Sequence, residues 1–210
     1  MVITHVKNTG RCKELLLPGV KVVLQKSNNS ERKTGYDLIA VWKNRRLINI
    51  DSQTPNKVFL EYLQAGRYIE EVTFVKSEVK YGNSRFDFYV EAGARKIFIE
   101  VKGVTLEEDG IVMFPDAPTE RGVKHLNELS MCTKEGYEAH VVFVVQMSNV
   151  RYFTPNNKTH PAFGETLVAA QKAGVNISAL DCVVTKNTLK IGNSTSQTHR
   201  INKKNGVCRG

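Results

Sequence analysis

The chain has 210 residues, a formal net charge of +9, 41% apolar residues and four cysteines. That length can bury one large or two small cores. No run approaches the roughly 18 apolar residues of a membrane span and the start shows no basic-then-apolar leader, so a cytoplasmic protein without membrane association is expected.

Charge is unevenly spread. Residues 1–66 hold 11 basic and 5 acidic side chains, a balance of +6, whereas residues 67–190 hold 15 and 16, a balance of −1. A basic module joined to one with a near-neutral balance suits a polyanionic partner. Cys12, Cys132, Cys182 and Cys208 form no C-x-x-C pair, which argues against a zinc site or disulfide framework and fits reduced thiols.

Residues 1–50 read as short strands separated by turns, around Asn8-Thr9-Gly10, Pro18-Gly19 and Lys43-Asn44-Arg45, the pattern of a small barrel or sandwich. Arg11, Lys13, Lys33, Lys43, Arg45 and Arg46, with Tyr36 and Trp42 among them, suit a groove that stacks bases and tracks phosphates, although tryptophan more often sits in a core. A helix follows, with Thr54 as N-cap, Pro55 at the first helical position and Gly66 just past the end. Val58, Tyr62 and Leu63 make its apolar stripe, and it marks the boundary between the modules.

The central feature is a hairpin built from residues 84–90 and 96–102. With residues 92–95 as its loop, Glu91 pairs with Lys96, Asp87 lies opposite Glu100, and Arg85 lies opposite Lys102. The two-residue period then puts all four of these last residues on one face. Two carboxylates with Cβ atoms about 4.5–5.5 Å apart repel as architecture. They become useful around a hard divalent cation such as Mg²⁺, with Lys102 orienting a water. The bland alternative is a solvated pair flanked by Arg85 and Lys102. Asp, a spacer, then Glu-x-Lys on the next strand resembles the layout of PD-(D/E)xK nucleases.

Residues 106–110 read as an acidic turn. Thr119 caps a helix reaching about Lys134 and closed by Gly136. Val123, Leu126 and Leu129 face its core, while Arg121, Lys124, His125 and Glu128 line another side. Residues 139–147 form a near-continuous apolar strand of the buried central kind. A helix over 161–172 and a strand over 177–184 complete an α/β core with a mixed sheet. From Ile191 onward little can be buried, which reads as a disordered basic tail.

Several strings taken together resemble the sugar fermentation stimulation protein A family. They are His5-Val6-Lys7-Asn8-Thr9-Gly10-Arg11, Asn49-Ile50-Asp51-Ser52-Gln53-Thr54-Pro55-Asn56, Tyr81-Gly82-Asn83-Ser84-Arg85-Phe86-Asp87-Phe88, Glu100-Val101-Lys102-Gly103-Val104-Thr105-Leu106 and Phe114-Pro115-Asp116-Ala117-Pro118-Thr119-Glu120-Arg121-Gly122. The resemblance spans roughly residues 5–185. It implies an OB-fold-like domain over 1–66, here without its first strand, and a PD-(D/E)xK nuclease-like domain over 67–190. It also implies DNA binding and a link to regulation of sugar (maltose) utilisation genes.

By the matching motif, Asp87, Glu100 and Lys102 fall on the nuclease-like positions. The expected function is therefore Mg²⁺- or Mn²⁺-dependent phosphodiester hydrolysis on DNA, largely independent of sequence. The cation would rest on Asp87, Glu100 and the Val101 carbonyl. The nucleic acid would rest on Arg11, Lys33, Arg45, Arg46, Arg85, Arg121, Lys124 and His125. The alternative is a DNA-binding regulator that keeps the fold without cleaving. No motif supports a sugar-metabolic enzyme.

Overall fold

The β-branched runs of the first fifty residues form four short strands in the computed structural model, which describes residues 2–8, 10, 12–29, 31–192, 200–202 and 207–209. They are β1 (Thr4–Val6), β2 (Val22–Lys26), β3 (Tyr36–Lys43) and β4 (Arg46–Asn49). The long strand β3 organises them. It takes β2 antiparallel along one edge; on the other it takes β1 parallel near Tyr36 and β4 antiparallel near Lys43. Both faces of β3 are covered along its middle, where Asp37, Leu38, Ala40 and Val41 are all buried, and this sheet is the N-terminal module.

Helix α1 (Thr54–Gln64) begins one residue differently from the sequence reading. Gln53 occupies the N-cap without a side-chain hydrogen bond, and Thr54 is already helical. Its buried face is Pro55, Val58, Phe59 and Leu63, with Tyr62 only partly covered. That face packs on the second sheet, against Phe88, Val90, Ile97 and Ile99. A helix assigned by sequence to the first module is thus anchored on the second.

The second sheet contains β5 (Val72–Tyr81), β6 (Ser84–Ala92) and β7 (Arg95–Val104). A small side sheet follows, of β8 (Leu106–Glu108) and β9 (Ile111–Phe114). Then come α2 (Glu120–Lys134), β10 (Glu138–Val145) and β11 (Tyr152–Pro155), the last joining the side sheet beside β9. Finally α3 (Pro161–Lys172) leads to β12 (Asn176–Val184) and β13 (Leu189–Ile191). The main sheet runs β13-β12-β10-β7-β6-β5. It is mixed, with β10 parallel to both β7 and β12 and the hairpins antiparallel. Seven of the eight residues of β10 are buried because strands flank both of its edges and helices cover both faces. Among the described residues no helix is long and apolar enough to cross a membrane.

Helix α2 has the expected cap: Gly122 N donates to Thr119 Oγ1 at 3.0 Å. Its buried stripe is Gly122, His125, Leu126, Leu129 and Cys132. Cys12, Cys132 and Cys182 are free and buried.

The two modules share one core. Leu38, Val41, Ile48 and Ile50 of the first pack in the same cluster as Val104, Val112, Val145 and Met147 of the second. Polar bonds pin the junction: Asn49 N donates to Gln146 O at 2.9 Å, and Gln146 Nε2 donates to Asn49 Oδ1 at 2.8 Å.

Two further expectations change. Of the expected acidic turn only Asp109 and Gly110 turn, while Leu106–Glu108 form the strand β8, paired with β9, and Glu107 is 5% exposed. Ile191 is not the start of a tail but a buried residue of β13, paired with Cys182. Beyond it, β14 (Arg200–Asn202) pairs antiparallel with β15 (Val207–Arg209). The rest of the expected tail, residues 193–199, 203–206 and 210, lies outside the described residues.

Candidate metal-dependent site

The hairpin of β6 and β7 has Glu91 opposite Lys96, as expected. Its loop is shorter than expected, since Ala92 pairs with Arg95 and only Gly93 and Ala94 turn. Gly93 makes this possible with φ +57 at the first turn position, where a side chain is strained.

The ladder then runs to Phe88↔Ile99 and stops. Asp87 therefore does not face Glu100 as a cross-strand pair, and Arg85 does not face Lys102. Arg85 is exposed, pairs in register with Lys80 and sits 3.4 Å from Glu78. On the other edge of β6, Glu78 has φ +53 between the Ser77↔Phe88 and Val79↔Phe86 pairs. The strand is thus irregular on both sides at Asp87. Phe88 packs in the α1 cluster, while Phe86 packs with Phe98 and Leu126 on the α2 side. This accounts for aromatics that fit no single face.

Freed from the ladder, the Asp87 carboxylate takes two donors. Val101 N donates to Oδ2 at 2.8 Å and Asn56 Nδ2, from the first turn of α1, donates to Oδ1 at 2.7 Å. A backbone N–H left without a strand partner needs such an acceptor. Burial, then the Glu100 charge, pushes the Asp87 carboxyl up to about 6 despite these bonds.

Glu100 lies mid-sheet on β7 and is 3% exposed. Lys102 Nζ and His125 Nδ1 both contact its Oε1, the latter at 2.5 Å. Arg121 Nε donates to His125 Nε2 at 3.3 Å. Arginine can only donate, so Nε2 accepts and the ring proton sits on Nδ1, facing Glu100. Burial alone raises the Glu100 carboxyl, but the His125 and Lys102 contacts outweigh it and hold it below its ordinary range. The other oxygen, Oε2, is buried without a hydrogen-bond partner among the described residues.

That orphaned oxygen tests whether a cation fits. Two neighbouring carboxylates, one with an unpaired buried oxygen, make a hard-oxygen donor set of the kind Mg²⁺ completes with water. Among the described residues no three His, Cys, Asp or Glu side chains gather as a ligand cluster. Val101 and Lys102 also line a cavity of about 250 Å³ between the modules, together with Asn8, Ser52 and Gln146.

The remaining candidates are spread over the surface. Arg121 and Lys124 are exposed on α2 beside His125, with Lys124 Nζ donating to Asn83 O at 2.7 Å. His125, expected with them on the outer face, is buried at 3% exposure and serves Glu100 instead. Arg46 is half-buried on Glu107 and Asn149 O. Lys33 and Arg45 are exposed. Arg11 lies outside the described residues. Sequence reasoning missed Asn56 as a partner of Asp87. Its position after Thr54-Pro55, on the first turn of a helix aimed at the hairpin, was the available signal.

Residues 2–50 match the SfsA N-terminal OB domain, and residues 53–188 match the sugar fermentation stimulation protein RE domain. The chain belongs to the sugar fermentation stimulation protein family. It is 63% identical over 190 residues to a sugar fermentation stimulation protein homolog of Desulfitobacterium hafniense, covering 90% of this chain and 83% of the relative. The homolog of Clostridium beijerinckii is 59% identical over 189 residues, covering 90% and 84%. The solved structure of Pyrococcus furiosus SfsA in complex with Ca²⁺ is similar at TM-score 0.79 and 31% identity, covering 85% of this chain and 78% of that one.

Proposed function

We propose that this protein binds nucleic acid and hydrolyses phosphodiesters with a divalent cation held by Asp87 and Glu100. The observation that carries the reading is the buried, unpartnered Glu100 Oε2 beside Lys102 and Asp87. The fold is that of a family with an RE domain, and a relative of known structure was solved with Ca²⁺, a cation with the same preference for oxygen ligands. A bound Mg²⁺ or Mn²⁺ supplies a lowered water pKa and charge neutralisation at the phosphate.

The side chains of the chain do the rest. Asn56 and Val101 N hold the Asp87 carboxylate in one orientation. His125 fixes the Glu100 carboxylate through Oε1, leaving Oε2 as the oxygen that would hold a cation. Lys102 balances that charge and lies where it can hold a phosphate oxygen or orient the attacking water. Arg121 and Lys124 present positive charge on the same helix that carries His125, suited to the strand being cut. DNA is the expected polymer, gripped through phosphates rather than base edges.

One observation favours a second reading. Glu100 Oε1 already has both Lys102 and His125, so its charge is matched by Lys102 and its orientation fixed without metal. A DNA-binding regulator of sugar-utilisation genes would keep this arrangement and never cleave. Nicking of supercoiled plasmid with Mg²⁺ or Mn²⁺ separates the two. The wild type should nick, Glu100→Gln and Lys102→Ala should fall by at least about a hundredfold, comparable with losing a principal electrostatic contributor, and chelator should abolish the activity. DNA binding with no nicking under any divalent cation establishes the regulator.

A further inference from the structure

The β3–β4 turn, Asn44 and Arg45 with Asn44 at φ +55, stands against the loop after β10, where Arg46 Nη2 donates to Asn149 O at 2.8 Å. Between them lies a concavity of about 400 Å³, lined by Trp42, Arg45, Leu47, Ser148, Asn149 and Val184 among others. Its charge is less than its composition suggests. Lys43 Nζ and Arg46 Nη1 both close on the buried Glu107, at 2.9 and 2.5 Å. Arg45 is exposed and makes no ion pair among the described residues. Trp42 is half-buried, and its indole has neither a hydrogen-bond partner nor an aromatic neighbour among them.

A duplex-tracking surface needs a row of free cations, one for each phosphate it neutralises. This concavity offers one free guanidinium and one uncommitted indole. That is the equipment for stacking one unpaired base and holding its phosphate, because every base presents a π-face and a duplex hides it. We infer that this junction is a subsite for a single unstacked nucleobase, so that the protein prefers single-stranded over duplex nucleic acid here. The inference rests on nucleic acid being the ligand, and it is independent of whether the Asp87–Glu100 site cleaves.

Trp42 is the only tryptophan in the chain, so its fluorescence reports this subsite directly. The probe is an oligothymidylate of about twelve nucleotides, within the span of one OB fold, titrated in chelator so that nothing is cut. The comparison is a blunt hairpin duplex of equal phosphate count, with binding also measured by anisotropy of a labelled strand. Saturable quenching by the single strand at lower concentration than by the duplex supports the inference. Trp42→Phe should retain binding, Trp42→Leu should lose about tenfold, and Arg45→Ala should lower the salt slope by about 0.7.

Equal affinity for duplex and single strand overturns the inference. So does bound single strand without any change in Trp42 emission, or unaltered binding by Trp42→Leu. If Trp42→Leu fails to fold, Arg45→Glu at the exposed turn decides: unchanged single-strand affinity overturns the inference. Quenching without nicking retains this subsite and removes the hydrolytic reading, and nicking without quenching does the reverse.

Discussion

Glu100 and Glu107 are two buried glutamates within eight positions of each other, 3% and 5% exposed, and they are built for different ends. Glu107 is saturated. Lys43 and Arg46 take its two oxygens from the first module, and Gly110 N donates to Oε1 at 2.5 Å. Burial alone raises its carboxyl, and these donors more than reverse that. Glu100 has one cation, Lys102, and the His125 N–H, both of them on Oε1, and Oε2 has no partner among the described residues. A buried carboxylate whose donors are complete joins parts of a fold. One held firmly on one side and left open on the other is prepared for a ligand.

The largest test of that contrast is stability without metal. Glu107→Gln strips the common partner from two half-buried cations and should lose about 3 kcal/mol, the lower end for breaking a buried pair. That corresponds to roughly 6–12 °C in melting temperature for a chain of this size. Glu100→Gln should lose only about 1 kcal/mol, since its amide oxygen can still accept from one neighbour. Urea denaturation of both variants gives the two numbers. Equal losses would erase the distinction.

Asp87 sharpens the comparison through pH. Its folded carboxyl is raised to about 6, above the ordinary 3.8, so the folded state keeps a proton that the unfolded chain has lost. Metal-free stability should therefore fall as pH rises from about 4 to 6 and then level off. The drop should be about 3 kcal/mol at most, relative to Asp87→Asn, which has no such proton. The same proton competes with a cation, so Mg²⁺ or Mn²⁺ affinity should rise about tenfold between pH 5 and 7. A pH-independent difference between wild type and Asp87→Asn contradicts this account.

The third effect is the cation's own. At a hundredfold excess over Kd it should stabilise the wild type by about 2.7 kcal/mol, a rise of roughly 5–11 °C. Asp87→Asn and Glu100→Gln should lose that rise. Lys102→Ala should keep it while losing cleavage, because its ammonium serves water and phosphate. Differential scanning fluorimetry with and without chelator measures all four proteins, and a wild type that does not respond removes the cation from Glu100.

Much of this was legible in residue order, and the failures have local causes. The hairpin showed because aromatic and β-branched residues alternate on both sides of Gly93, and the Glu91–Lys96 pairing followed. Where its ladder ends did not show. The break at Asp87 depends on Glu78 adopting a left-handed conformation on the neighbouring strand and on Asn56 arriving from a helix 31 residues earlier. Glu107-Glu108-Asp109 reads as a solvated acidic turn, because Lys43, the partner that buries Glu107, lies 64 positions away. His125 was grouped with charged neighbours at i−4, i−1 and i+3, whereas it also belongs to the buried stripe of Leu126, Leu129 and Cys132. A polar residue on the border of two faces cannot be assigned without its partner.

The amide link between Asn49 and Gln146 has a bearing on how the chain is made. Ninety-seven positions separate the two residues. At about 5–20 residues per second of synthesis, Asn49 waits roughly 5–20 s on the ribosome before Gln146 emerges to bond it. The polar clasp between the two modules therefore closes only after most of the second sheet has been made, so the β3–β4 hairpin waits that long for its partner.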